Sequence, residues 1–388
     1  MKSFKWWVPT QIYFGRDEEK KVGDLVREYG SRALIHYGGS FAKQSGLVDR
    51  ISSYLHEAGV EYIELGGVKP NPRLSLVRKG IELCRENAVD FILAVGGGSV
   101  IDSAKAIALG VEYEGDVWDF FCGKVQVTKI MPLGSVLTIP AAGSEVSLGT
   151  VVTNEEGWYK RNVNHPIIRP KFAILNPELT NTLSPYQTAC GVADMMSHVM
   201  ETYFTNVSNV EFSDHLCEAT LRTMICNARC VKNNLQDYDA RAELMWSATV
   251  AQMSLFSAGR VGDWASHSIE SELSAIYDIP HGEGMAIIMP AWMRHVCHNN
   301  VERFVQFATK VWNVDASLFA TEQEVALTGI DRLSQFFREI GLAVTLGECK
   351  ITAERFDEMA SKACENGNIG NLTSLDKKDI IEIYQESL

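Results

Sequence analysis

Asp194 and His198 stand four positions apart in GVADMMSHVMETYF, a stretch with helical periodicity, so both side chains leave one helix face about one turn apart. One metal ion can bridge them. Further on, DWASHSIESELSAIYDIPHGEGMAI offers His267 on a helix, and Pro280 is expected to break that helix and leave His281 on the following turn. His281 lies between Pro280 and Gly282 in otherwise apolar sequence, where an unpaired imidazole would be costly to bury. One carboxylate with three imidazoles and no thiolate suits Fe(II), Zn(II), Mn(II) or Co(II) and leaves room for a substrate oxygen. The other histidines, His36, His56, His165, His215, His295 and His298, have no comparable carboxylate partner in the sequence and are read as structural or exposed.

A second chemistry is suggested by glycine. In FILAVGGGSVIDSAK, Gly96, Gly97, Gly98 and Ser99 follow an apolar strand and precede a helix expected to begin near Val100. Such a turn lets backbone approach a pyrophosphate, and the uncapped N–H groups and dipole of the helix start favour negative charge. The dinucleotide fingerprint GxGxxG would need glycine where Ile101 stands, so its usual form is absent. A matching turn lies in ALIHYGGSFAKQSG, where Gly38, Gly39 and Ser40 precede a helix carrying Lys43. An acid that would bind a ribose 2′-hydroxyl is missing there, and small residues with Ser40 take its place. NADP(H) is therefore expected in preference to NAD(H).

These residues need positioning elements. Apolar runs at 33–37, 62–65, 91–95, 136–139 and 172–175 read as buried strands, and between them 18–29, 41–58, 73–87 and 99–109 have helical periodicity. Such alternation implies a parallel sheet covered on both faces. Beyond LNPELTNTLSPYQ, apolar residues recur at three- and four-residue spacing through 186–205, 210–232, 239–258, 300–313 and 322–339, with no strand signal. Ser184 before Pro185 is the expected N-cap of the first helix. The division is an α/β domain over 1–180 and an all-helical domain over 181–388.

With 36 Lys and Arg against 49 Asp and Glu, the chain carries a net charge of −13 and no basic run, which argues against nucleic acid and anionic membranes as partners. No signal-like segment is visible and nine cysteines include no CxxC pair, so a reduced, cytoplasmic protein is expected.

Taken together, the chain resembles the iron-containing (group III) alcohol dehydrogenases, most closely their NADPH-dependent butanol dehydrogenase branch. The resemblance runs through PTQIYFG at 9–15, PNP at 70–72, GGGSVIDSAK at 96–105, TIPAAGSEVS at 138–147, ADMMSHVME at 193–201 and HGEGMAI at 281–287. It implies a dehydroquinate synthase-like fold with a catalytic cleft between its domains, and a homodimer or larger assembly. It makes Asp194, His198, His267 and His281 the ligands of one divalent metal, Fe(II) or Zn(II), and places Gly38, Ser40, Asn71, Gly97, Gly98, Ser99, Asp102, Thr138, Ser147 and Lys160 around the cofactor. Asp102 also suits a first helical turn simply as an acid. The expected activity is interconversion of short- to medium-chain aldehydes, butanal among them, with primary alcohols, the metal polarising the carbonyl while hydride passes to or from the nicotinamide. A glycerol dehydrogenase-like polyol oxidoreductase and a nucleotide-binding relative of low activity are the alternatives. One position departs from the family, which usually has histidine near the substrate where this chain has Ser271.

Overall fold

Six strands, β1 (Gln11–Phe14), β2 (Arg32–Tyr37), β3 (Glu61–Leu65), β4 (Phe91–Gly97), β5 (Leu133–Ile139) and β8 (Phe172–Leu175), form one parallel sheet in a computed structural model of the chain. The structure describes the backbone of residues 1–388 and every side chain except those of Ser40 and Phe41. Strand order is β1-β8-β5-β4-β2-β3. All seven residues of β4 and all four of β8 are buried, as continuous apolar runs covered on both faces must be. The strands β6 (Gly149–Asn154) and β7 (Tyr159–Asn164) make a separate antiparallel hairpin, with Thr153 opposite Lys160.

Three of these strands, β1, β6 and β7, lie outside the runs expected from the sequence. The edge strand β1 reads QIYF with no buried residue, so it lacks the apolar run by which a strand is recognised. The strand β7 reads YKRNVN, with only Lys160 and Val163 buried, three positions apart, so no apolar alternation marks it.

The chain divides into two compact units, Trp7–Thr182 and Leu183–Leu388, the first six residues belonging with the second. Among the described residues of that unit the only strand-like feature is an isolated bridge between Ile369 and Leu375. Its first helix, Pro185–Tyr203, begins in a capping box: the Ser184 hydroxyl accepts from the Gln187 N–H while the Gln187 side chain accepts from the Ser184 N–H. Two further helices carry His267 and His281, Ala265–Tyr277 and His281–Val296. Pro280 is the N-cap of the last, so His281 is its first residue rather than part of a turn. Proline fits this start because N-terminal N–H groups have no intrahelical acceptor. Together these results give the expected fold class, a parallel α/β unit plus a helical unit. No helix among the described residues is long and apolar enough to cross a membrane.

A charged network is buried in the helical unit. The fully buried Arg260 guanidinium lies 2.9 Å from Oδ1 of Asp214, and Arg303 lies 2.7 Å from Oδ2. Arg260 also donates to the carbonyls of Thr202 and Val210, each at 3.2 Å. Beside it, Glu218 accepts from the Tyr203 hydroxyl at 3.0 Å and from Gln306 at 2.7 Å. The network fastens the C-terminal end of Pro185–Tyr203, whose middle bears Asp194 and His198.

Candidate functional site

Asp194, His267 and His281 present ligand atoms that all lie within 4.8 Å of one another. They come from three different helices, Pro185–Tyr203, Ala265–Tyr277 and His281–Val296. Asp194 Oδ1 is 3.6 Å from His281 Nε2 and also 3.6 Å from Nδ1 of His198, one turn along the same helix. The His198 and His267 rings stack with centroids 4.7 Å apart. Burial keeps His198 neutral by pushing its pKa down to about 3.

Three polar atoms test whether this set fits a cation. Asp194 Oδ1, His198 Nδ1 and His267 Nε2 are buried without a hydrogen-bond partner. Each such atom costs about 1–3 kcal/mol unless something satisfies it. A carboxylate oxygen and imidazole nitrogens gathered this way are the donors a divalent ion accepts, so the residues fit the metal.

Two carboxylates that sequence reading missed orient these side chains. Oε1 of the fully buried Glu201 accepts from Nδ1 of His267 at 2.8 Å, from the His267 N–H at 3.1 Å and from the Ser266 hydroxyl at 2.5 Å. Burial opposes ionisation of Glu201, but the hydrogen bonds from His267 and Ser266 prevail and hold its carboxyl below the usual range. Glu270 accepts from Nδ1 of His281 and from the Ser274 hydroxyl. With Nδ1 donating, Nε2 of each ring carries the free lone pair. The helix bearing Asp194 thus supplies the brace for His267, and the helix bearing His267 supplies the brace for His281. The sequence signal was a glutamate three residues after a histidine, in HVME and HSIE, but its partner in each case lies on another helix.

The glycines of HGEG bring the last helix close. A Cβ on Gly282 would collide with the backbone of Cys190, and one on Gly284 would stand 2.8 Å from Glu270 Cγ. Ser271 lies one turn beyond His267 on Ala265–Tyr277 and is partly exposed.

We expect Glu201→Gln to weaken metal binding about 10- to 100-fold, because an amide cannot accept from three donors on one charged oxygen. Chelator competition measures this, and an unchanged metal dissociation constant would remove the brace from the assignment.

Among the described residues one other cluster, His295 with Asp379 and Glu382, meets the same distance criterion. His295 therefore does have carboxylate neighbours, contrary to the sequence reading, though they lie far along the chain. Their charges are already engaged: Asp379 accepts the Asp376 N–H in a capping box, and Glu382 pairs with Lys378 at 3.3 Å.

In the N-terminal unit the glycine turns end adjacent strands. From β2 the chain proceeds to β3 on one side, and from β4 to β5 on the other. Ligands of such sheets bind outside the carboxyl ends of the strands at this switch point. The helix Gly98–Val111 starts two residues earlier than expected, with Gly97 as an N-cap that leaves its first N–H groups without a side-chain partner, and Ser99 in the first turn. Gly97 and Gly98 are required by packing, since a Cβ on either would lie 2.9 Å from Ile139 or Ala142. At the other turn, Gly38, Gly39, Lys43, Gly66 and Gly67 line a cavity of about 480 Å³. The side chain of Ser40 lies outside the described residues. Lys43 is bonded to Glu64 at 2.6 Å, so its charge is matched locally. The uncapped turn at Gly97 and the cavity beside Gly38 and Gly39 fit a nucleotide.

Of the remaining sequence candidates, Thr138 sits near the end of β5, Asn71 is buried with φ 54°, and Lys160 is buried on β7. The bond from Thr153 N–H to the Pro72 carbonyl, 2.8 Å, ties the Asn71 loop to the hairpin that bears Lys160. Asp102 accepts from the Ser144 hydroxyl at 2.6 Å and the Val151 N–H at 3.2 Å. The buried Lys105, which sequence reading passed over, donates to both oxygens of Ser147 at 3.1 Å and to the Gly149 carbonyl at 2.7 Å. Desolvation lowers its pKa to about 8.

Comparison with known proteins shows the family. Residues 9–177 match the family described as iron-containing alcohol dehydrogenase, and 188–388 match the C-terminal region of the Fe-containing alcohol dehydrogenase family. The chain is 44% identical, over the whole of both proteins, to the probable NADH-dependent butanol dehydrogenase 1 of Bacillus subtilis. It is 32% identical to the NADPH-dependent aldehyde reductase YqhD of Escherichia coli, covering 95% of this chain and 94% of the other. A crystal structure of NADH-dependent butanol dehydrogenase A from Thermotoga maritima superposes with a TM-score of 0.96 at 37% identity, covering 100% of this chain and 99% of that one. The chain belongs to the iron-containing alcohol dehydrogenase family. It is an NAD(P)-dependent alcohol dehydrogenase or aldehyde reductase, an oxidoreductase of a family that works with a divalent metal and a nicotinamide cofactor.

Proposed function

We propose that the protein reduces short- to medium-chain aldehydes such as butanal to primary alcohols, taking NADPH in preference to NADH, as a cytoplasmic homodimer. The observation that carries the reading is the convergence of Asp194, His267 and His281 within 4.8 Å, with His198 alongside. On this reading residues 181–388 form the metal-binding catalytic domain, with those four residues holding one Fe(II) or Zn(II), and residues 1–180 the dinucleotide-binding domain. When bound, the metal supplies Lewis acidity towards the carbonyl oxygen and the nicotinamide supplies hydride.

The chain's own residues do the positioning. Glu201 and Glu270 fix the tautomers of His267 and His281, and the uncapped start of Gly98–Val111 receives phosphate. Asp102 and Lys105 hold the segment 144–151, which includes Ser147, against that helix. Ser271 offers a hydroxyl that cannot titrate near neutral pH, so the proton for the product oxygen comes from water or a ribose hydroxyl.

Preference for NADPH rests on the two glycines and the absence of an acid at the end of β2. The name of the Bacillus subtilis relative carries NADH and that of the Escherichia coli relative NADPH. A Cβ on Gly39 would meet nothing within 4 Å, so an aspartate fits there and puts a carboxylate beside the cavity. We expect Gly39→Asp to cut kcat/KM for NADPH about 10- to 100-fold relative to NADH through like-charge repulsion with the 2′-phosphate. Steady-state rates with butanal and each nucleotide, on metal-analysed protein, test both statements. Equal use of NADH and NADPH by the native protein would refute the preference, and no turnover of any aldehyde after metal loading would refute the function.

A further inference from the structure

Trp264 closes the segment that enters the helix of His267, and its backbone has φ 66° and ψ 8°. This is the left-handed region, where a bulky side chain is strained. The surroundings impose it. The Trp264 N–H donates to Oε2 of Glu201 at 2.6 Å, and the Asp263 N–H donates to the Glu201 carbonyl at 2.8 Å. The Asp263 carboxylate accepts from the N–H groups of Ala265, Asn371 and Leu372 at 3.0, 2.8 and 2.6 Å. Next to it, a Cβ on Gly262 would stand 2.8 Å from the Glu201 carbonyl oxygen and 2.9 Å from the Trp264 indole nitrogen, so only glycine lets the indole lie where it does.

One carboxylate therefore positions two rings: Glu201 orients the His267 imidazole with one oxygen and holds the Trp264 backbone with the other. The indole centroid is 5.4 Å from that of His267 and 6.2 Å from that of His198. Even so, 39% of Trp264 remains exposed. Helix initiation does not call for such a residue, since glycine adopts this backbone freely and Ser, Thr, Asn or Asp are the usual N-caps. The chain accepts backbone strain to hold a large apolar face in the open beside the metal-binding imidazoles.

We infer that Trp264 is a specificity-determining residue, its indole face being the wall on which the hydrocarbon chain of the substrate lies. This rests on the aldehyde reading above and narrows it to unbranched aldehydes with an apolar chain. Polyol aldehydes are disfavoured, because their hydroxyls would lose water against the ring without gaining a partner.

Unreactive aliphatic amides from acetamide to hexanamide serve as aldehyde analogues for the test. On metal- and nicotinamide-loaded protein, calorimetric dissociation constants should fall about two- to fourfold per added methylene. Trp264→Gly removes the ring and relieves the backbone, and should flatten the series below about 1.5-fold per methylene with metal content unchanged. Trp264→Phe should restore much of the slope. An unchanged slope in Trp264→Gly overturns the inference, and so does an equal weakening of every amide, which would mark a purely structural residue. A native protein that binds no amide and reduces no aldehyde instead overturns the aldehyde reading, and the inference falls with it.

Discussion

Asp194→Ala is expected to lower aldehyde turnover at least about a thousandfold and to abolish metal retention, while nucleotide binding by the N-terminal unit persists. Asp194 is the only carboxylate of the cluster, and its Oδ1 stands 3.6 Å from both His198 and His281. Removing it leaves neutral imidazoles to hold a dication, and loss of about 4 kcal/mol of Lewis-acid stabilisation corresponds to three decades in rate. Elemental analysis, turnover in excess metal and titration with NADPH measure the three quantities. A structural control accompanies them. In metal-depleted protein the Asp194 oxygen is a buried acceptor without a donor, so Asp194→Ala should melt no lower than the native chain under chelation. Full activity in a metal-depleted Asp194→Ala protein would remove the metal centre from the mechanism altogether.

The second large effect is on stability. Asp214→Ala is expected to destabilise the helical unit by about 3–5 kcal/mol, because it strips the shared counter-charge from Arg260, fully buried, and from Arg303. For a unit of this size that is a fall of roughly 6–20 °C in its unfolding midpoint. The comparison is Arg338→Ala, which breaks the exposed pair with Glu348 and should change stability by less than about 1 kcal/mol. Denaturant unfolding followed by circular dichroism separates them. If the two variants lose the same small amount, water reaches the two guanidinium groups and the network is not a buried one.

What could be read from the sequence depended on how local each feature is. Asp194 and His198 are visible as a pair because a helix brings positions four apart onto one face, and Ser184 with Pro185 announces a helix start within two residues. Strands β2, β4 and β8 declare themselves as continuous apolar runs. Glu201 and Glu270 were not recognisable as braces, since each acts on a histidine of another helix and only tertiary packing pairs them. The approach of His295 to Asp379 is hidden for the same reason, across 84 positions. Pro280 was legible as a break but not as the cap of the next helix, because proline is compatible with both. Lys43 shows as a basic residue near a glycine turn, yet Glu64, which matches its charge, arrives from the neighbouring strand.

Residues Met1–Trp6 belong with the second unit, where the Lys2 N–H bonds to the Gly259 carbonyl at 2.8 Å and the Trp6 indole to the Met253 carbonyl at 2.9 Å. During synthesis the beginning of the chain must wait for its partners, some 250 residues later. At about 5–20 residues per second, that wait is roughly 12–50 s. The N-terminal unit has all of its strands by Leu175 and can fold in the meantime, but residues 1–6 stay unpaired on the nascent chain until then. Residues 1–6 thus join the second unit only after the strands of the first have been made.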